Sequence, residues 1–206
     1  MDFLGIEILL AFISASVILC FVPGPDNIFV LTQSAIRGWR VGIITTLGLC
    51  SGLVVHTVLV ALGVAVIFQT SSLAFQGLKI IGACYLVILA FKSIRSEKFD
   101  LNSTKNPKES YYITGVVMNL TNPKVAIFFL VFLPQFVVAG ITNVSTQMLL
   151  LGFVFILCTL CVFSFIAYLA SFLKPALNNS PAIAKNLNIV AALVYVALAL
   201  NLLFIS

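Results

Sequence analysis

Apolar residues run almost without relief from Phe3 to Ile36, and the exception is Phe21-Val22-Pro23-Gly24-Pro25-Asp26-Asn27. Two prolines, a glycine and a carboxylate break a segment that carries no other charge between Glu7 and Arg37. A second break of the same kind follows a hundred residues later, at Asn119-Leu120-Thr121-Asn122-Pro123-Lys124. Crossing a bilayer as helix takes about 20 apolar residues. Six stretches qualify: 3–36 (broken), 41–68, 73–91, 111–139 (broken), 146–173 and 182–205. Only 92–110 reads as a linker, with Lys92, Arg95, Glu97, Lys98, Asp100, Lys105, Lys108 and Glu109.

The pattern predicts an all-α integral membrane protein with one transporter domain over 1–206. It divides into repeat one (1–91), a cytoplasmic linker (92–110) and repeat two (111–206). Three spans per half insert the second half upside down relative to the first, and each half begins with its broken helix. Transporters built from inverted repeats place their sites at the midplane, between such interrupted helices.

Composition agrees: 62% of the chain is apolar, 8% is charged, and Phe occurs 18 times. The net charge of +5 would suggest nucleic acid in a soluble protein, but here the basic residues sit in loops. Nine Lys and Arg fall in the loops after spans one, three and five, or at their edges, and none falls on the other side. Positive charge marks the cytoplasmic side, so both termini are expected outside the cytoplasm. No Lys or Arg precedes Arg37, and the first apolar stretch outruns a cleavable signal; it is expected to stay in the protein.

Depth follows from helix rise. Asp26 lies about 16 Å from Arg37, Lys124 about 20 Å from Tyr111 and His56 about 22 Å from Val41. All three are expected near mid-membrane, where a carboxylate or ammonium is costly and points to function. Lys79, about 10 Å from Ser72, is close enough to the outer boundary to snorkel.

After each break a helix can restart, with Gly24 or Asn122 as N-cap and Pro25 or Pro123 at the first helical position. Such N-termini suit a carboxylate. The bland reading is a pair of proline kinks. Asp26 and Lys124 read either as binders of an ammonium and a carboxylate, or as a structural ion pair. His56 reads as a proton relay or as a hydrogen-bonded packing residue. Gly48-x-x-x-Gly52, with Gly42 and Gly63, marks close helix packing. Tyr85, Asn119 and Gln135 are candidates to line a cavity. Cys158-x-x-Cys161 reads as two small residues on a membrane helix, with no second pair or nearby His to complete a metal or redox site.

The run Pro23-Gly24-Pro25-Asp26-Asn27, then Gly38 and Gly42, resembles the first-helix signature of the LysE/RhtB family of amino-acid exporters. Lys79-Ile80-Ile81-Gly82-Ala83-Cys84-Tyr85-Leu86 is similar to its third-helix motif. Asn122-Pro123-Lys124, Phe128-Phe129 and Leu133-Pro134-Gln135-Phe136 are similar to the start of its second half. The resemblance implies an exporter of amino acids or their derivatives in the bacterial inner membrane, with proton antiport as its engine; in that membrane the termini expected outside the cytoplasm are periplasmic. Threonine, homoserine, homoserine lactone, lysine and leucine are substrates among relatives, and the sequence does not choose between them.

The candidate substrate and proton residues are therefore Pro23, Gly24, Pro25, Asp26, Asn27, His56, Lys79, Asn122, Pro123 and Lys124. The expected partners are an amino acid, protons and the lipid bilayer; no nucleic acid, cofactor or metal is called for, and a homodimer stays open. The rival reading is an ion or metal permease of the wider superfamily, against which stands the lack of a ligand cluster at the midplane. An intramembrane enzyme fits less well, since Ser51 and His56 share a helix without a protease motif. No P-loop is present to drive a nucleotide-dependent pump.

Overall fold

The computed structural model describes residues 5–70, 72–95, 110–138, 140 and 142–172, with isolated helical positions between 189 and 200. All regular structure among them is helical. Helix α1 (Ile6–Phe21) and α2 (Pro25–Arg37) meet at the first break with a bend of 59°. Then come α3 (Trp39–Thr70), α4 (Ser72–Arg95) and α5 (Tyr111–Thr121). The second break leads into α6 (Pro123–Ile127), prolonged by a π turn at Phe128–Phe132 and a 3-10 turn at Leu133–Phe136; the bend here is 55°. Helix α7 (Val144–Phe172) follows.

Trp39–Gly63 and Val144–Phe172 are each long and apolar enough to cross a membrane, with mean hydropathy 2.0 and 2.8. Each bent pair qualifies as a further span if its two arms are counted together. The expected stretch 182–205 lies outside the described residues apart from the isolated helical positions, as does most of 92–110.

The core is built on α3, which packs most extensively against α7 and α5. Its contact with α5 is a glycine seam. A Cβ on Gly48 would come 2.1 Å from the Tyr112 carbonyl oxygen, and one on Gly115 would come 2.4 Å from that of Thr45. Only hydrogen at these positions lets the backbones approach so closely. Gly63, read from the sequence with the packing glycines, instead faces open space.

Four of the buried hydroxyls on these apolar helices are satisfied within their own helix, while Ser16 and Thr32 find no partner among the described residues. Ser34, Thr45, Thr46 and Thr57 each donate to the carbonyl four residues earlier, the usual solution for Ser and Thr in a helix. At the junction of α2 and α3, Gly38 has φ +94° and donates its N–H to Ser34 O at 2.9 Å. A glycine in this conformation ends α2 and starts α3 without strain.

Gln147, 1% exposed, pins the segment that leads into α7. Its carboxamide accepts from Val138 N at 2.9 Å and donates to Val138 O at 2.9 Å and Thr142 O at 3.2 Å.

Candidate functional site

Breaking a helix at membrane depth leaves carbonyls at the end of one arm and N–H groups at the start of the next, with little water to satisfy them. At the first break, Asn27 Nδ2 donates to Cys20 O at 2.5 Å. Val22 N–H donates to Ile18 O and Leu19 O at 3.2 Å, and a further donor comes from the other half of the chain. Lys124 Nζ donates to Val22 O at 3.0 Å and to Leu19 O at 3.4 Å. A cation at the C-terminal end of α1 also meets the negative pole of that helix.

The second break is stitched in return. Asn122 caps α6, its Oδ1 accepting from Lys124 N at 3.0 Å. Asn119 Nδ2 donates to Asp26 Oδ2 at 3.4 Å. His56 Nε2 lies 3.3 Å from the Asn119 carbonyl oxygen, and its ring sits 5.7 Å from that of Phe129. The two breaks thus hold each other, each supplying a polar side chain to the other's loose end.

Asp26 (5% exposed) and Lys124 (8% exposed) both line one cavity, with about 430 Å³ of unfilled space counting its mouth. They feel each other's charge across it. Asp26 Oδ1 is buried and has no hydrogen-bond partner among the described residues.

Of the sequence-predicted residues, the structure brings Gly24, Asp26, Asn27, Asn122 and Lys124 to the cavity wall. Pro25 and Pro123 occupy first helical positions, as expected, with Gly24 and Asn122 as N-caps, and Pro23 lies in the break. His56 stands behind Asn119 rather than on the wall. The side chains of Lys79 and Tyr85 lie outside the described residues. Asn119 lines the cavity, while Gln135 bonds to Val131 O of its own turn and does not.

One expectation changes in detail. The two new helix N-termini are not equivalent open sites for a carboxylate. The N-terminus of α2 already carries Asp26 in its first turn, and α6 has only five α-helical residues before the π turn.

Motifs did not mark Cys20, Phe155, Thr159 and Phe163, which line the wall together with Leu19, Leu49, Leu53, Val125 and Phe128. Cys20 Sγ lies 3.4 Å from Thr159 Oγ1. Cys158 and Cys161 carry free thiols and do not line the cavity. Ser51, the nucleophile an enzyme would need, contacts Tyr112 Oη at 2.7 Å and Leu47 O at 3.0 Å rather than His56.

Comparison with known proteins gives the family. The profile of the LysE type translocator family matches residues 17–206. The leucine efflux protein of Enterobacter sp. is 30% identical over 185 residues, covering 88% of each chain. The uncharacterized membrane protein YrhP of Bacillus subtilis is 29% identical over 184 residues, covering 84% of this chain and 87% of its own. No solved structure matches the chain. With the family profile extending over most of its length, this multi-pass membrane protein belongs to the LysE type translocator family.

Proposed function

We propose that this protein is a secondary exporter of amino acids, not an enzyme, working by proton antiport across the bacterial inner membrane. The observation that carries the reading is the burial of one carboxylate and one ammonium, Asp26 and Lys124, on the wall of a single cavity where the two broken helices meet. A relative whose name is leucine efflux protein supports amino acids as cargo.

In this mechanism the substrate ammonium donates to Asp26 Oδ1. The substrate carboxylate draws Lys124 Nζ from the carbonyls of Leu19 and Val22. A proton arriving on Asp26 neutralises it, weakens the ammonium contact and releases the cargo. One proton entering down about 100 mV supplies about 2.3 kcal/mol, enough for roughly a fifty-fold outward gradient. Pro23, Gly24, Pro25 and Pro123 shape the breaks, Asn27 and Asn122 hold them, and His56 serves the proton path beside Asn119.

The same reading arranges the chain as two inverted three-helix repeats, 1–91 and 111–206, joined by the cytoplasmic segment 92–110. Both termini are then periplasmic, and each protomer has its own site, so a homodimer is compatible but not required.

The test is amino-acid accumulation in cells that overproduce the protein, with Asp26→Asn as the comparison. Overproducing cells should retain less of at least one amino acid and tolerate more of its toxic analogue, and Asp26→Asn should abolish this while still inserting in the membrane. Full export by Asp26→Asn would reduce the pair to a structural role. Metal tolerance without any amino-acid efflux would favour the permease reading.

A further inference from the structure

Asp26 and Asn119 belong to different parts of the bundle. Asp26 lies on α2, which packs chiefly on α7 and α3. Asn119 lies near the end of α5, whose backbone touches that of α3 at Gly48 and Gly115. The direct link between the two residues is the hydrogen bond from Asn119 Nδ2 to Asp26 Oδ2 at 3.4 Å. This is beyond the usual range, so the bond depends on charge. A donor to an ionised carboxylate binds about twice as strongly as one to a neutral acceptor.

Asn119 is 2% exposed and is itself held in place. Its backbone oxygen accepts from Asn122 N at 3.1 Å and lies 3.3 Å from His56 Nε2. Its Oδ1 lies against Gly52, where a Cβ would come within 2.6 Å, and has no hydrogen-bond partner among the described residues. Turning the amide over would set that oxygen against the carboxylate, acceptor against acceptor. Nδ2 therefore faces Asp26 as long as Asp26 is ionised.

The neighbouring polar groups do not tie α2 to α3 and α5 in this way. Lys124 Nζ bonds to Leu19 O and Val22 O, which precede α2. Asn122 turns its carboxamide toward Asp26, but from the second break, where it caps α6. The titratable groups that face Asp26 among the described residues are Lys124 from α6, His56 from α3 and Cys20 from α1. Helix α7 presents Phe155, Thr159 and Phe163, which do not titrate. The side chain of Lys79 on α4 lies outside the described residues.

We propose that Asn119 is a positioning residue that couples the two fluxes, its hydrogen bond to Asp26 acting as a charge-dependent latch. While Asp26 is ionised and the site is empty, the latch holds α2 still. A proton or a substrate ammonium on Asp26 cancels the charge, loosens the bond and frees α2 to move. A carrier that has brought a proton inward must then return with cargo, because its empty ionised form is held. The inference rests on the antiport reading above and adds the group that keeps protons from crossing alone.

The experiment uses the full chain in proteoliposomes that enclose a pH-sensitive dye, under a membrane potential negative inside. Without amino acid, wild type should admit protons slowly, and a load of the common amino acids inside should speed their entry. Asn119→Leu should admit protons without any amino acid about tenfold faster than wild type or more, the factor that a hydrogen bond to a charged group is worth. Adding Asp26→Asn to Asn119→Leu should stop that leak, which separates a lost latch from a loosely packed protein.

Proton entry at the wild-type rate by Asn119→Leu, or a leak that survives Asp26→Asn, would overturn the latch and leave antiport standing. If wild type gains no proton entry from the amino-acid load, the antiport reading fails and the latch with it. Should Asn119→Leu fail to insert, Asn119→Ser, smaller and too short to reach Asp26, is read against the same outcomes.

Discussion

Lys124 Nζ lies 3.0 Å from the carbonyl oxygen of Val22, a residue 102 positions earlier in the chain. The cation of the second break is therefore a C-terminal cap for the first. Sequence alone pairs Lys124 with Asp26 by charge and depth, but the ammonium also works as a backbone donor. Its bonds to Val22 O and Leu19 O stabilise the buried ammonium.

Lys124→Ala should accordingly cost more than a lost substrate contact. It takes the ammonium from Val22 O, while Leu19 O keeps the Val22 N–H at 3.2 Å, and it leaves Asp26 without its nearby cation. An uncapped buried carbonyl costs about 1–3 kcal/mol, and a lone charge at mid-membrane costs about 2.5–3.5 kcal/mol. Thermal unfolding in detergent should show a clear loss of stability. Adding Asp26→Asn should recover part of it, because the charge term disappears while the uncapped carbonyl stays. A double variant no more stable than Lys124→Ala would show that Asp26 does not depend on this cation.

A glycine on α3 sets the position of Asn119. A Cβ at Gly52 would come 2.6 Å from Asn119 Oδ1 and 2.8 Å from its Cβ. Gly52→Ala should push the carboxamide away from Asp26 Oδ2 and reduce transport about tenfold or more, with a stability loss of about 1–3 kcal/mol from overpacking. Gly63→Ala, on the same helix but facing open space, is the control and should transport normally. Similar transport by the two variants would mean that Asn119 placement is unimportant.

Gln147 holds Val138 and Thr142 through three hydrogen bonds. Gln147→Leu keeps the bulk and removes the bonds, leaving Val138 N and O and Thr142 O without that partner. A loss of about 1–3 kcal/mol is expected, read as a lower melting temperature of the purified protein. Gln147→Glu retains acceptors for Val138 N and should fall between the two.

The breaks and the helices that frame them were legible from composition and proline placement. Pro25 and Pro123 at first helical positions, with Gly24 and Asn122 as caps, follow from local chemistry that four or five residues fully express. The apolar walls were not legible. Helix α7 is apolar on every side, so nothing in its sequence separates Phe155 and Phe163, which face the cavity, from Phe153 and Phe165, which are exposed. The lipid and the cavity both accept phenylalanine. Nor could sequence show that Lys124 reaches α1, since that contact depends on how the two bends cross.

The proposed topology makes its own prediction. In a background free of cysteine, single cysteines at Ser71 and Ser103 should differ in access to an impermeant thiol reagent added to intact cells. Ser71→Cys should be labelled and Ser103→Cys protected. The opposite result would invert the orientation drawn from the basic loops.

The glycine seam between α3 and α5 has a mechanical consequence. Backbones that touch at Gly48–Tyr112 and Gly115–Thr45 leave no layer of side chains to slide on, so these two helices behave as one beam. Asn119, fixed to that beam beside Gly52, cannot follow Asp26 if Asp26 moves. Any opening of the cavity that parts the two must therefore swing α2 against the beam, and the chain joins α2 to α3 at Gly38, the residue with φ +94°. The load on that joint falls on a residue without a side chain, at the end of the lever farthest from Asp26.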